Sequence, residues 1–200
     1  MRMKPFIRGL FIIIALPLFI LFRLLAVMCK RDAIWQSCTQ LLSLAPGKVG
    51  SYLRVAFSRL TMNVCAPDIV IGFGTLFSHC DTDINSGAYI GPQCNIGTCR
   101  IGSNTLLGSG VHILSGKNQH GFANLNVPIK DQPGVFEKIS IGDNCWIGNG
   151  AIVMAAIGNN CIIAAGSVVV NDVPDNTLVA GNPAKQIKSL ASCPVTEVDS

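Results

Sequence analysis

The feature that most constrains this chain is a pattern starting after Asp68, where an aliphatic residue, usually followed by Gly, returns about every six positions. It runs through Ile71-Gly72, Ile90-Gly91, Ile96-Gly97, Ile101-Gly102, Leu107-Gly108, Ile141-Gly142, Ile147-Gly148, Ile157-Gly158 and Ile163-Ala164. A six-residue internal period points to a parallel β-helix, a prism whose faces are short strands and whose corners are tight turns. Two positions before the aliphatic residue sits a small one, as in Ala88, Cys94, Cys99, Thr105, Cys145, Ala151, Cys161 and Ser167. The aliphatic side chain fills the narrow interior, the small one fits beside it, and Gly or Asn takes the corners that need positive φ. The spacing from Ile96 to Ile101 is one residue short and that from Val153 to Ile157 two short, so a clipped turn is expected at each.

Four of the nine cysteines fall at the small position, which gives them a packing role. No C-x-x-C pair is present and the count is odd, so neither a disulfide framework nor a structural zinc site is signalled, and a reducing compartment is the simpler reading. A net charge of +4 with no long Lys/Arg run gives no nucleic-acid footprint, and suits anionic lipid or a phosphate-bearing ligand better.

The N-terminal third differs. Phe6 to Met28 is nearly all apolar, interrupted by Arg8, Pro17 and Arg23 and flanked by Arg2, Lys4, Lys30 and Arg31. Spanning a bilayer takes about 20 apolar residues, so residues 1–31 read as a membrane anchor, spanning or shallow. No A-x-A-like cleavage site follows. Residues 32–67 form a connector of two short helices broken at Ala45-Pro46-Gly47, then come a β-helix domain over 68–183 and a C-terminal helix and tail over 184–200, the helix starting after Pro183 and capping the prism.

The block Ile139-Ser140-Ile141-Gly142-Asp143-Asn144-Cys145-Trp146-Ile147-Gly148, then Ala165-Gly166-Ser167-Val168-Val169, then Val179-Ala180-Gly181-Asn182-Pro183-Ala184-Lys185, resembles the hexapeptide-repeat acyltransferases over about residues 69–187. The N-terminal anchor and the stretch from Ile113 to His120 look closest to the O-acetyltransferases of polysaccharide and lipopolysaccharide assembly. The resemblance implies an all-β fold, a left-handed parallel β-helix with an N-terminal hydrophobic helical segment and a short C-terminal helix. It also implies acetyl-CoA as co-substrate without a metal, a sugar or glycan acceptor, assembly as a homotrimer, and a membrane-associated protein with its catalytic domain cytoplasmic.

The six-residue rhythm stops between Ser115 and Lys138, and a long loop thrown from a regular solenoid is more often functional than idle. Acetyl transfer to a hydroxyl needs a base that takes the alcohol proton and can return one to the departing thiol, work suited to neutral imidazole. The resemblance places that base at His120. It assigns Trp146, Gly148, Asn149, Ala165 and Gly166 to the pantetheine arm and Lys185 and Lys188 to the coenzyme phosphates, although Trp146 could instead bury area between subunits. Asp81, Asp83, Asn85 and Gln93 are candidates for the acceptor. His112 precedes inward Ile113 and so faces outward, as a solvated side chain, a second active-site group or a subunit contact. His79 could hydrogen-bond Asp81 or Asp83 locally.

Two rivals use the same scaffold. A γ-type carbonic anhydrase holds zinc through three histidines, including an H-x₄-H pair, whereas His112 and His120 here are separated by seven residues. A non-catalytic β-helix scaffold would leave His120 and the Trp146 block without a task.

Overall fold

The computed structural model describes residues 3–191. Arg2 of the basic start and the tail from Ser192, with Cys193, lie outside the described residues. From Val70 onward the chain turns through short strands, all but the last two of two or three residues, that stack into three faces, in parallel except for the final antiparallel pair. The first face holds β1 (Val70–Ile71), β4 (Tyr89–Ile90), β7 (Leu106–Leu107), β10 (Trp146–Ile147), β12 (Ile162–Ile163), β14 (Thr177–Gly181) and β15 (Ala184–Ser189), in that order. The second runs through β2 (Leu76–Phe77), β5 (Asn95–Ile96), β8 (His112–Ile113), β11 (Ile152–Val153) and β13 (Val168–Val169), and the third through β3 (Asp83–Ile84), β6 (Cys99–Ile101) and β9 (Ile139–Ile141). Isolated bridges continue the third face through Ile157 and Val173.

Each expected inward residue is buried. Ile71, Ile90, Leu107, Ile147 and Ile163 from the first face meet Ile96, Ile113 and Val153 from the second and Ile84, Ile101 and Ile141 from the third. Fully burying a side chain of this size stabilises by about 1.5–3 kcal/mol, and the stacked column supplies the core. The small positions have a second reason to be small and polar. Thr105 Oγ1 donates to Gly142 O at 2.7 Å, Cys145 Sγ to Gly158 O at 3.0 Å and Cys161 Sγ to Pro174 O at 3.1 Å. A short hydroxyl or thiol thus hooks the corner carbonyl of the next coil. Burial pushes the Cys145 thiol up to about 11 and that of Cys99 up to about 12, so neither forms thiolate near neutrality. A thiol-titrating disulfide reagent at about pH 8 is therefore expected to modify exposed Cys29 in the native protein and to reach Cys99 and Cys145 only on unfolding. Prompt native-state reaction at Cys145 would contradict the packing.

Between the third and first faces, Asn104, Asn144, Asn160 and Asn176 all take positive φ near 55°. Their side chains climb the corner as a ladder, Asn144 Nδ2 to Asn160 Oδ1 at 2.9 Å and Asn160 Nδ2 to Asn176 Oδ1 at 3.1 Å. Both clipped spacings fall at the corner between the second and third faces. There Ser115 Oγ accepts from Thr98 N at 2.9 Å and Asp172 Oδ1 accepts from Ala156 N at 2.9 Å, side chains standing in for the missing backbone partners.

Three helices precede the β-helix, in the segments where helices were expected. They are α1 (Met3–Met28), α2 (Arg31–Ser43) and α3 (Gly47–Thr61), of 26, 13 and 15 residues, and α2 and α3 part at Pro46 as its missing N–H and fixed φ require. They close the open end of the first coil. Trp35 packs edge-on to Phe77, Phe57 is fully buried, and the buried Arg54 guanidinium donates to Ile71 O, Leu42 O and Ala45 O at 2.8–3.0 Å.

The expected C-terminal helix is corrected over its described part. Ala184–Ser189 is a strand, antiparallel to β14, entered through a turn with a cis Asn182-Pro183 bond. The last coil ends the first face with an edge of unpaired backbone groups, and a strand satisfies them where a helix could not.

Candidate functional site

The loop between Ser115 and Lys138 leaves the prism at the corner where the second and third faces meet. Its base is fixed on both sides: Glu137 N donates to Ser115 O at 2.9 Å, and Lys138 Nζ reaches Asp81 Oδ1 at 2.7 Å and Asp83 Oδ2 at 2.8 Å. Burial pulls the Lys138 ammonium down, but hydrogen bonds and charge from Asp81 and Asp83 outweigh it and leave its pKa raised. Within the loop, Val135 N donates to Asn118 O at 2.8 Å, and the Gln132 amide donates to Asn124 O and Val127 O, both at 2.8 Å. Ile129–Asp131 make one 3₁₀ turn.

Below the loop is a cleft of about 210 Å³. Its floor is the outward ladder of the second face, where Asn95 and His112 are register partners on adjacent coils. Ser78 and His79 close one side, Ser115 and Gln119 another, and Phe136 comes from the returning arm of the loop. His79 Nδ1 lies 3.0 Å from Ser78 Oγ, and its ring centre is 5.7 Å from that of Phe136. Ser78 Oγ also lies 3.3 Å from Ile96 O, so the hydroxyl anchors the His79 ring against the backbone of the second face. Gly97 makes room for this corner: a Cβ there would stand 2.6 Å from Ser115 Oγ and 2.8 Å from Ile113 O.

His79 and His112 line the cleft, whereas His120, exposed on the loop directly after the lining residue Gln119, does not line it. His79 pairs with Ser78 rather than with Asp81 or Asp83, which correct that expectation by binding Lys138. None of Asp81, Asp83, Asn85 and Gln93 lines the cleft. Asn85 stands at the corner between the third and first faces, and exposed Gln93 at that between the first and second, with φ of 59°. Ser78, Asn95, Ser115, Gln119 and Phe136 were not singled out by the sequence. The available signal was the spacing of Asn95 and His112, one coil apart and each just before an inward Ile.

The proposed coenzyme residues gather elsewhere. Trp146 is 55% exposed on the outward ladder of the first face, in register with Ile162, then Leu178, then Lys188 on β15, three strand steps or roughly 14 Å away. Lys185 pairs with Ala180 on the same edge. At the adjoining corner Gly166 N donates to Asn149 O at 2.9 Å, stacking Gly148-Asn149 on Ala165-Gly166. A Cβ on Gly148 would meet Ala165 N at 2.4 Å, so only Gly fits. This strip and the cleft occupy different faces of the prism. Among the described residues no group of three His, Cys, Asp or Glu is placed to hold a metal ion.

Residues 138–170 match the family described as hexapeptide repeat of succinyl-transferase. No curated protein matches the chain. Among solved structures it is similar to a maltose O-acetyltransferase from Clostridium difficile 630, at 23% identity over 80% of this chain and 87% of that one, with a TM-score of 0.71. It is also similar to a hexapeptide-repeat-containing acetyltransferase from Vibrio cholerae, at 21% identity over 81% of this chain and 94% of that one, TM-score 0.51. That Vibrio cholerae enzyme has also been solved in complex with acetyl coenzyme A, where the match is 21% identical over 78% and 86% of the two chains, TM-score 0.52. At such identities the shared property is the fold. The chain carries hexapeptide repeats on the β-helix fold of the hexapeptide-repeat acetyltransferases.

Proposed function

We propose that the protein is an acetyl-CoA-dependent O-acetyltransferase acting on a hydroxyl of a sugar or of a glycolipid or polysaccharide precursor, with His120 as general base. The observation that supports this is a loop-covered cleft lined by His79 and His112, with His120 on the covering loop next to the lining residue Gln119, in a fold shared with acetyltransferases. The left hand of the β-helix goes with that likeness. The imidazole takes the proton of the acceptor hydroxyl as its oxygen attacks the thioester carbonyl. The tetrahedral oxyanion is held by backbone N–H groups, and its collapse expels coenzyme A, whose sulfur takes the proton back.

Acetyl-CoA lies along the first face, its pantetheine over Trp146 and the corner of Gly148, Asn149, Ala165 and Gly166, its phosphates toward Lys185 and Lys188. Because that strip and the cleft face different ways in one chain, the reading calls for a homotrimer in which one subunit's cleft meets its neighbour's strip. Asp81, Asp83, Asn85 and Gln93 then approach the acceptor from across the boundary. Membrane lipid holds α1, with the β-helix in the cytoplasm. A second reading, favoured by the place of His79 in the cleft lining with its ring held by Ser78, makes His79 the base and His120 an acceptor contact.

The test is acceptor-dependent release of coenzyme A thiol from acetyl-CoA by the full chain, across a panel of sugars and lipid-linked glycans. Release with O-acetylated product recovered by mass spectrometry is expected. No release above hydrolysis with any hydroxyl acceptor would contradict the proposal.

A further inference from the structure

Helix α1 is not free in the structure. It lies across the cap, Phe11 stacked on Tyr52 at 5.2 Å and Phe22 edge-on to Phe57 at 6.0 Å, with Ala15 and Phe22 buried. At about 100° per residue the side chains in these contacts share one arc. The opposite half carries Phe6, Leu10, Ile13, Ile20, Leu21 and Leu24, all exposed and all apolar, with Phe6 76% and Leu24 65% open. No charged or hydrogen-bonding side chain falls on that half. Lys4, Arg8 and Arg23 sit on or beside the cap-facing arc. Arg8 approaches Asp68, whose carboxyl is held below its usual range chiefly by the Ser86 hydroxyl, with Arg8 adding to the effect.

From these observations we infer that α1 lies in the plane of an anionic bilayer rather than across it, docking the β-helix onto the membrane by its capped N-terminal end. A spanning α1 would draw α3, with exposed Lys48 and Arg59 and its buried Arg54, into hydrocarbon, where each charge is expensive. An in-plane helix immerses only its apolar half, to about 5–10 Å, and leaves its cationic flank at headgroup level. The first acid after Met3 is Asp32, so the helix and its exit carry cations alone, which suits an anionic surface. A protein partner is the poorer fit, because the rim of this face is cationic alone and its centre offers no hydrogen-bonding group.

The geometry bears on the acceptor, and here the inference rests on the transferase reading. Gln36 and Asp32 of α2 hydrogen-bond Ser78 O and Cys80 N, on either side of His79, so the cleft begins directly above the cap. With helix layers packing about 8–10 Å apart, the cleft stands roughly 15–20 Å from the immersed face. That height suits a hydroxyl on a glycan tethered to lipid in the same membrane.

The test uses inverted membrane vesicles from cells expressing the full chain. Two proteins are labelled with an impermeant maleimide: Cys193→Ser, which reports Cys29, and Lys4→Cys in a Cys29→Ser, Cys193→Ser background. In-plane docking predicts that both positions label fully without permeabilisation. Labelling of Lys4→Cys only after permeabilisation would establish a spanning helix and overturn the inference, as would recovery of the protein in the soluble fraction, alone or as a dimer through α1. Replacing Ile13 and Leu24 together by Glu should cut flotation with phosphatidylglycerol liposomes at least tenfold. Acetyl transfer to a soluble acceptor should persist in that variant. Normal labelling and flotation with no transfer by the parent protein would sink the transferase reading and leave the docking intact.

Discussion

His120→Ala is expected to lower kcat for acetyl transfer by about 10²–10⁴-fold, the range for loss of a positioned general base, while changing KM for acetyl-CoA by less than about threefold. The reason is geometric as well as chemical. His120 is exposed and follows the cleft residue Gln119 on the loop that Lys138 ties to Asp81 and Asp83, so removing its ring leaves the prism and the coenzyme strip unchanged. His79→Ala is the necessary comparison. With His120 as base, His79→Ala costs less than about tenfold in kcat. A loss of about 10³-fold in His79→Ala with a near-normal His120→Ala would move the base to His79, whose ring lines the cleft and is held by Ser78.

Arg54→Met should give a large stability loss. The guanidinium is 4% exposed and has no carboxylate partner. It neutralises three carbonyls instead: Leu42 O and Ala45 O at the C-terminal end of α2, and Ile71 O on the first coil. Burial lowers its pKa, yet Arg remains charged under ordinary conditions, and a cation is what the end of a helix dipole favours. Methionine keeps most of the apolar stem and removes all three donors. Leu42 O also accepts from Ala45 N, so two buried acceptors lose their partner at about 1–3 kcal/mol each, and a total of about 2–6 kcal/mol is expected, a fall in Tm of roughly 4–24 °C for a chain of this size. Thermal unfolding followed by circular dichroism reads it directly, and a shift below about 2 °C would mean that the cap is not held as described.

The interior was legible because its requirement is local and periodic: one aliphatic residue per face of each coil, with a small neighbour beside it. The clipped spacings were legible for the same reason, and their clustering at one corner shows why the loop leaves there, since that corner already departs from the regular turn. The C-terminal strand was not legible. Pro183 is as good a helix start as a strand entry, and what decides is the open edge of β14, a demand set by the stacked coils and not by local sequence. The three N-terminal helices were legible from the apolar run and the break at Ala45-Pro46-Gly47, but their task was not: Trp35, Phe57 and Arg54 close a coil that has no neighbour below it. In the site, the loop announced itself by breaking the rhythm. The cleft floor did not, because Asn95 looks like ordinary surface until register sets it under His112. Asp81 and Asp83 looked free for an acceptor or for His79, and only the fold brings Lys138, far along the chain, between them.

The most direct test of the central claim is a calorimetric titration of the full chain in detergent with acetyl-CoA, repeated on a Lys185→Ala, Lys188→Ala double variant. The account predicts saturable binding in the micromolar range, about −8 kcal/mol, weakened at least tenfold when both lysines are lost. No saturable heat up to millimolar acetyl-CoA would contradict it.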